Sequence, residues 1–385
     1  MSDGASSLEK VAFRRLRAGE PAPWFVCATT TRPSFHLHIS GGRYLVLCFF
    51  GTAGDEKGRA ALSLLDDHRQ LFDDEKLSFF GVTADPEDRG RLVEQLPGVR
   101  YFLDFDRNAA RLYGAAPESG EPEGQTIARR QWYVLDPQLR IIDTFPLAED
   151  GSDRARLVSL LSSLPSLDRF NGIEVQAPVL YLPNVFEPEL CADLIAAYDA
   201  SGGQASGFMR DVGGLTTRIH DAAHKVRMDH ELALGDPLRA TVQDRVSRRI
   251  VPQIQKAYQF DATRMERYLV ACYAAEDGGH FRPHRDNTTK GTAHRRFAVS
   301  INLNSDFEGG EIGFPEFGTR TFKPPPGGAV VFSCSLLHRV SRVTRGRRYA
   351  FLPFLYDDAA AALREENRAF FSPELAAEGA KPPAG

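Results

Sequence analysis

Cysteine is scarce and scattered in this chain. There are five, Cys27, Cys48, Cys191, Cys272 and Cys334, and no two stand in a CxxC spacing. An odd, dispersed set excludes a disulfide scaffold and a zinc ribbon and fits a reducing compartment. Long apolar runs are lacking too. The longest, Tyr44 to Phe50, has the length of a strand rather than of a membrane span. The N-terminal stretch, Met1 to Pro21, is polar and has no apolar segment of the signal-peptide kind. Nor is there a large charge of one sign. The formal net charge is −4, so no basic field points to nucleic acid. These absences predict a soluble cytoplasmic protein that works on neither membranes nor nucleic acids.

What is present is ordinary globular material. Hydrophobic residues make up 42% and charged residues 25% of 385 residues, enough for more than one core. Two domains are expected at this length. In the first half, Tyr44–Phe50 and Leu77–Val82 read as strands buried on both faces. Helical spacing runs over 58–72, through Ala61, Leu64, Leu65, His68, Leu71 and Phe72. Arg107–Tyr113 predicts a short helix closed by Gly114. Gln131–Leu135 and Ile141–Phe145 predict a hairpin around Asp136-Pro137-Gln138-Leu139. This alternation is that of an α/β layer fold.

Over roughly 18–147 these residues resemble the thioredoxin-fold peroxiredoxins. The likeness is carried by Gly19-x-x-x-Pro23, by the strand Tyr44–Phe50, by Val82-Thr83-Ala84-Asp85 and by Arg129-Arg130-Gln131-Trp132-Tyr133-Val134-Leu135-Asp136-Pro137. The family places Pro, Thr and its peroxidatic Cys after the first core strand, in the pattern PxxxTxxC. Here Gly51, Asp55 and Gly58 fill those positions, so the nucleophile is missing. Peroxide reduction requires a thiolate at that place. The first half is therefore expected to be a catalytically silent scaffold or recognition domain. The competing reading is a thiol peroxidase or redox-binding protein that acts through Cys27 or Cys48.

A turn-rich break at Glu149–Asp153 and a short amphipathic helix lead to Pro165. The sequence predicts a first domain over 1–165, a linker over 166–177 and a second domain over 178–385. Pro188 suits the first position of a helix. Residues 201–234 are polar and without clean periodicity, which reads as a long binding loop or lid. Within it, His220-Asp221-Ala222-Ala223-His224 imitates a zinc-hydrolase helix but stands in the wrong context. Leu238, Val242, Val246, Ile250, Ile254 and Tyr258 recur every four residues and predict one long helix. After it, seven short strands are expected: 265–273, 296–302, 311–314, 319–323, 329–333, 339–343 and 349–355. Glycine and proline turns separate them, the punctuation of a jelly roll. The tail after Asp357 predicts a capping helix and a frayed end.

Chemistry concentrates in this second half. Gly278-Gly279-His280-Phe281-Arg282-Pro283-His284-Arg285-Asp286 offers an imidazole and a carboxylate two positions apart, which an extended chain turns to one side. His338 follows some fifty residues later, and Arg347 and Arg348 lie near the end of the same stretch. Two imidazoles and one carboxylate with open positions beside them form the facial triad of non-haem Fe(II) oxygenases. A strand would turn only one of the two arginines inward to pair with a carboxylate, and Arg348 is preferred.

The runs Asn302-Leu303-Asn304, Phe307-Glu308-Gly309-Gly310-Glu311-Ile312, Gly327–Phe332 and His338-Arg339-Val340-x-x-Val343-Thr344-Arg345-Gly346-x-Arg348 resemble the prolyl 4-hydroxylase-like Fe(II)/2-oxoglutarate dioxygenases. The resemblance covers roughly 178–356. It implies a mainly-β double-stranded β-helix (jelly-roll or cupin-like) domain with supporting helices, following the α/β thioredoxin-like domain. It implies His284, Asp286 and His338 as iron ligands. Arg348, with Tyr273 beside it, would bind the C5 carboxylate of 2-oxoglutarate. Fe(II), 2-oxoglutarate and O2 are then the cofactors and co-substrates, with ascorbate as an optional reductant. The substrate would be a small molecule or a peptide or protein, a prolyl residue included, and the resemblance leaves the oligomeric state open. His280, Arg282, His294 and the stretch 201–234 are candidate substrate contacts.

Overall fold

The apolar run Tyr44–Gly51 (β1) lies in the middle of a five-stranded sheet. Its alternate side chains enter two different cores, Leu45, Leu47 and Phe49 on one face and Tyr44, Val46, Cys48 and Phe50 on the other. That is why the sequence shows a continuous apolar run and no alternation. The computed structural model describes residues 12–119 and 128–380. The N-terminal stretch to residue 11 and the tail beyond 380, where a frayed end was expected, lie outside the described residues. The chain divides into two units, Met1–Val175 with Pro315–Gly318, and Gln176–Phe314 with Thr319–Gly385.

In the first unit, β1 pairs in parallel with β2 (Leu77–Thr83), which pairs in parallel with β3 (Val99–Leu103). On its other side β1 pairs antiparallel with β4 (Gln131–Leu135), and β4 with β5 (Ile141–Pro146). With its helices this is a thioredoxin-like α/β layer. The helix expected over 58–72 is broken into Glu56–Leu62 (α1), Leu64–His68 (α2) and a 3-10 turn, Arg69–Leu71. Ser63 is the break. Its hydroxyl donates to the Ala60 carbonyl at 2.8 Å, the acceptor that the Leu64 amide would need to continue the helix. Asn108–Leu112 (α3) and Ser152–Ser163 (α4) complete the unit's main helices.

The second unit is built on two sheets. Its strands are Leu180–Leu182 (β6), Gln204–Ala205 (β7), Phe208–Val212 (β8), Leu215–Ile219 (β9), Lys225–Val226 (β10), Met228–Glu231 (β11), Arg264–Glu266 (β12) and Leu269–Ala274 (β13). There follow His280–His284 (β14), Phe297–Asn302 (β15), Ile312–Gly313 (β16), Thr321–Phe322 (β17), Ala329–Ser333 (β18), His338–Val340 (β19), Arg347–Phe351 (β20) and Phe354–Tyr356 (β21). The larger sheet runs β12-β21-β15-β20-β13-β11-β7, with β18 paired to β15 and β6 to β18. The smaller runs β10-β14-β19-β16-β17. Neighbours distant in sequence pair antiparallel in both, the topology of a double-stranded β-helix.

Strand alternation sorts the larger sheet into two faces. Val270, Cys272, Val299, Ile301, Val331 and Phe351 pack on the helices through Leu194, Val242, Val246, Ile250 and Ile254. Leu269, Ala271 and Tyr273 point the other way and meet Phe281 and Val340 of the smaller sheet. The supporting helices are Pro188–Ser201 (α5), Pro237–Arg249 (α6) and Val251–Tyr258 (α7). The single helix expected over 238–258 is thus two. Pro252 has no amide to give the Arg248 carbonyl, and its ring crowds that turn.

Residues 201–234, read as a loop, hold five strands. Their residues are mostly polar because one side of each faces solvent, which hid the pattern. The hairpin β8–β9 closes on Gly213 and Gly214, both at positive φ (59° and 82°), as a tight two-residue turn requires. The zinc-like His220–His224 segment is not helical, and His224 packs its ring 4.5 Å from that of Phe208. Strands expected over 319–323 and 339–343 are shorter and shifted, Thr321–Phe322 and His338–Val340.

Candidate metal and co-substrate site

His284 ends β14 and His338 begins β19, and the two are direct partners in the antiparallel pairing of those strands. Their ring centroids lie 4.2 Å apart. Asp286 follows two residues after His284, and the loops that carry Asp286 and precede His338 are laced together. The Asp286 amide donates to the Cys334 carbonyl at 3.0 Å, Asn287 Nδ2 to Ser335 Oγ at 2.8 Å, and the Arg285 guanidinium to the Ser335 carbonyl. The result is a convergent group. Asp286 Oδ1 is 3.6 Å from His284 Nε2, and Oδ2 is 3.3 Å from His338 Nε2. Among the described residues this is the one set of three ligand-type side chains whose donor atoms fall within 4.8 Å of one another.

Both imidazoles are oriented by the backbone two residues before them, in β14 for His284 and in the turn before β19 for His338. His284 Nδ1 lies 2.8 Å from the Arg282 carbonyl, and His338 Nδ1 lies 3.0 Å from the Leu336 carbonyl. A carbonyl only accepts, so each Nδ1 carries a proton, and each Nε2 is left on the side of Asp286, where a metal could take it. Burial, and after it the neighbouring His338, holds the His284 pKa well below the ordinary value, so its ring is neutral at pH 7. Aromatic rings wall the group. Phe281 stacks on His284 at 3.4 Å and 18°, and Phe332 lies 4.7 Å from His338. Two imidazole nitrogens and one carboxylate gathered on one side suit a divalent ion of intermediate hardness such as Fe(II).

The same unit buries an arginine. Arg348 on β20 is only 1% exposed. Its Nε donates to Asn302 Oδ1 at 3.0 Å and its Nη2 to Ser300 Oγ at 2.7 Å, while Nη1 is buried and meets no acceptor. Burial lowers its pKa to about 10, which leaves it charged at neutral pH. Tyr273 is its direct partner across β13 and β20, with the guanidinium 5.4 Å from the ring centre. An orphaned guanidinium N–H beside a phenol fits an incoming carboxylate. Arg347 turns outward with the parity of Tyr349 and Phe351, and pairs with Glu276 at the surface.

The other sequence candidates part company. His280 bonds the Gly278 carbonyl through Nδ1 at 2.8 Å. Arg282 is exposed. His294 is bound to Glu266 at 3.0 Å. Sequence reasoning missed Arg227, Asp229, Ser300 and Asn302. The signal for the first two was there, since Lys225, Arg227 and Asp229 alternate with apolar residues as on one face of a strand.

In the first unit Gly58 stands at the position of the missing nucleophile, and Asp55, at the position of the family's Thr, has a structural part. Asp55 caps α1 by accepting from the Gly58 amide at 2.7 Å and forms a two-pronged pair with Arg130. Cys48 is fully buried in β1, and burial raises its pKa well above the ordinary thiol value. Burial, with Asp104 and Asp106, pushes the Cys27 thiol up to about 12. Both sulfurs stay protonated at neutral pH, which disfavours a thiolate peroxidase.

Among the described residues no helix is long and apolar enough to cross a membrane. Residues 268–356 match the family described as the 2OG-Fe(II) oxygenase superfamily. A PKHD-type hydroxylase of Pseudomonas fluorescens strain Pf0-1 is 41% identical over 91 residues, which are 21% of this chain and 39% of that protein. The match thus spans well under half the length of that relative. A prolyl hydroxylase of Trichoplax adhaerens, solved with a peptide fragment of hypoxia inducible factor, superposes at a TM-score of 0.40 with 15% identity, covering 55% of this chain and 95% of that one. The peroxidoxin BcpB of Mycobacterium tuberculosis does so at 0.34 with 15% identity, covering 40% of this chain and 100% of that one. The β-helical unit of this chain, over residues 268–356, is a 2OG-Fe(II) oxygenase domain.

Proposed function

We propose that the chain is an Fe(II)- and 2-oxoglutarate-dependent dioxygenase that hydroxylates an unactivated C–H bond. The observation that carries this reading is the convergence of His284, Asp286 and His338 in a unit that also buries Arg348 with an unsatisfied Nη1. His284, Asp286 and His338 would hold the iron, and Arg348 with Tyr273 the C5 carboxylate of 2-oxoglutarate. Together the metal and co-substrate supply the oxidising power, with O2 consumed and succinate and CO2 released.

The chain's own part is binding and exclusion. The Nδ1 bonds to backbone carbonyls hold each imidazole in the tautomer that coordinates. Phe281 and Phe332 keep water from the flanks of the two imidazoles. Asp286 fills a carboxylate position that halogenating relatives leave to a small residue, which favours hydroxylation. The substrate is a small molecule or a peptide, and a prolyl residue belongs to that class. In this reading residues 1–165 are a silent scaffold, 166–177 a linker and 178–385 the cytoplasmic catalytic domain.

The test is succinate formation from 2-oxoglutarate by the full chain in air with Fe(II). Wild-type protein should form succinate, and Asp286→Ala should fall to the rate of iron in buffer. Equal rates in the two proteins would sink the assignment.

A further inference from the structure

Tyr273 and Arg348 face each other across β13 and β20, and each holds a donor that meets no acceptor among the described residues. For Arg348 it is Nη1. For Tyr273 it is the phenol proton, because the one bond at its oxygen is received from Arg227 Nη1 at 3.3 Å. A guanidinium has no acceptor, so the phenol oxygen can only accept there, and its single proton must go elsewhere.

Arg227 is itself fixed. It is only 7% exposed, and Asp229 takes its Nε at 2.6 Å and its Nη2 at 2.7 Å. Nη2 also reaches Ser206 Oγ at 3.1 Å. The planar fork, seated on one carboxylate, leaves Nη1 aimed at the phenol. Burial alone would raise the Asp229 pKa, but Arg227, then Arg267 and Lys225, bring it down to about 2, so the seat stays charged. Tyr273 thus lies between two guanidinium groups, Arg227 on the oxygen and Arg348 near the ring.

We propose that Arg227, seated on Asp229, is a positioning residue that makes Tyr273 a one-way hydrogen-bond donor, so that phenol and Arg348 Nη1 together grip the co-substrate's C5 carboxylate. Arg227 does not touch the co-substrate and acts through Tyr273. The inference rests on the 2-oxoglutarate reading above and adds to it the pair that presets the grip. A purely structural role would be to tie β11 to the rest of the sheet. The two roles differ in what they couple to.

The experiment is a double-mutant cycle read by calorimetric binding of 2-oxoglutarate to the Mn(II)-loaded full chain, which needs no turnover. Tyr273→Phe should weaken binding about tenfold, the worth of one hydrogen bond to a charged group. Arg227→Lys keeps a charge for Asp229 but loses the fork, and should weaken binding by a similar factor. Arg227→Met/Asp229→Leu removes both charges at once, so that no buried charge is left alone. Added to Tyr273→Phe, either change should cost almost nothing more, and Mn(II) affinity should stay as in wild type. Multiplying losses, unchanged 2-oxoglutarate affinity in both Arg227 variants, or a parallel loss of Mn(II) binding would each overturn the positioning role. No binding by wild-type protein would overturn the co-substrate reading and this inference with it.

Discussion

His284 and His338 stand directly opposite each other in an antiparallel strand pair, although fifty-odd residues separate them in the chain. The pairing, rather than any local motif, brings the two imidazoles together. Asp286 joins because its own amide is bound to the Cys334 carbonyl at 3.0 Å, four residues before His338.

Removing the carboxylate should therefore disable the metal before it disturbs the fold. Asp286→Ala should lower Mn(II) or Fe(II) affinity by about a hundredfold or more. The thermal midpoint of the metal-free protein should hardly change. Titration calorimetry and a melting curve check the two halves of this statement.

Arg348 and Arg347 are adjacent in sequence and opposite in placement, the first buried and the second at the surface. Arg348→Met should weaken 2-oxoglutarate binding by about tenfold to a hundredfold, since a charged donor to the carboxylate is lost. Arg347→Ala should leave it within about a factor of two, because an exposed pair with Glu276 is all that goes. The reverse order would move the carboxylate to the outer face of β20.

Acid should act through the buried carboxylates. The folded-state pKa of Asp229, about 2, lies below its ordinary value of 3.8. A depressed carboxylate adds stability that is complete above the ordinary value and is lost as pH falls through the folded one. Wild-type protein should lose stability between about pH 4 and pH 2. Arg227→Met/Asp229→Leu should lose less over that window, as measured by urea unfolding at successive pH values.

The thiols should be poor nucleophiles. Cys27→Ser and Cys48→Ala should leave the slow consumption of hydrogen peroxide by the full chain unchanged, and Cys27 should react sluggishly with thiol reagents at pH 7. A burst of peroxide reduction that Cys27→Ser removes would restore a redox role to the first unit.

Gly309 should not tolerate a side chain. Its φ is +71°, and a Cβ there would stand 2.0 Å from the Arg342 carbonyl oxygen. Gly309→Ala should cost about 1–3 kcal/mol, seen as a lower melting temperature.

Much of this was legible in the chain. The apolar run of Tyr44–Gly51 announced a buried strand, and the residue types of His284, Asp286 and His338 announced that they would converge. Choosing Arg348 over Arg347 needed only strand parity. Other features lay in interactions that a sequence does not display. The break at Ser63 comes from a side chain that takes a helix carbonyl, while the break before Pro252 was written in the sequence and was overridden by a strong four-residue period. Arg227 and Asp229 went unread because short strands of mixed polar residues, Lys225–Val226 and Met228–Glu231, look like loop until partner strands supply their register.

The most direct test of the central claim is whether metal and co-substrate bind as one site. Calorimetry of 2-oxoglutarate on the full chain should show one tight equivalent with Mn(II), far weaker binding with EDTA, and loss of the metal's effect in Asp286→Ala. Affinity that is the same with Mn(II), with EDTA and in Asp286→Ala would contradict a site shared by His284, Asp286, His338 and Arg348.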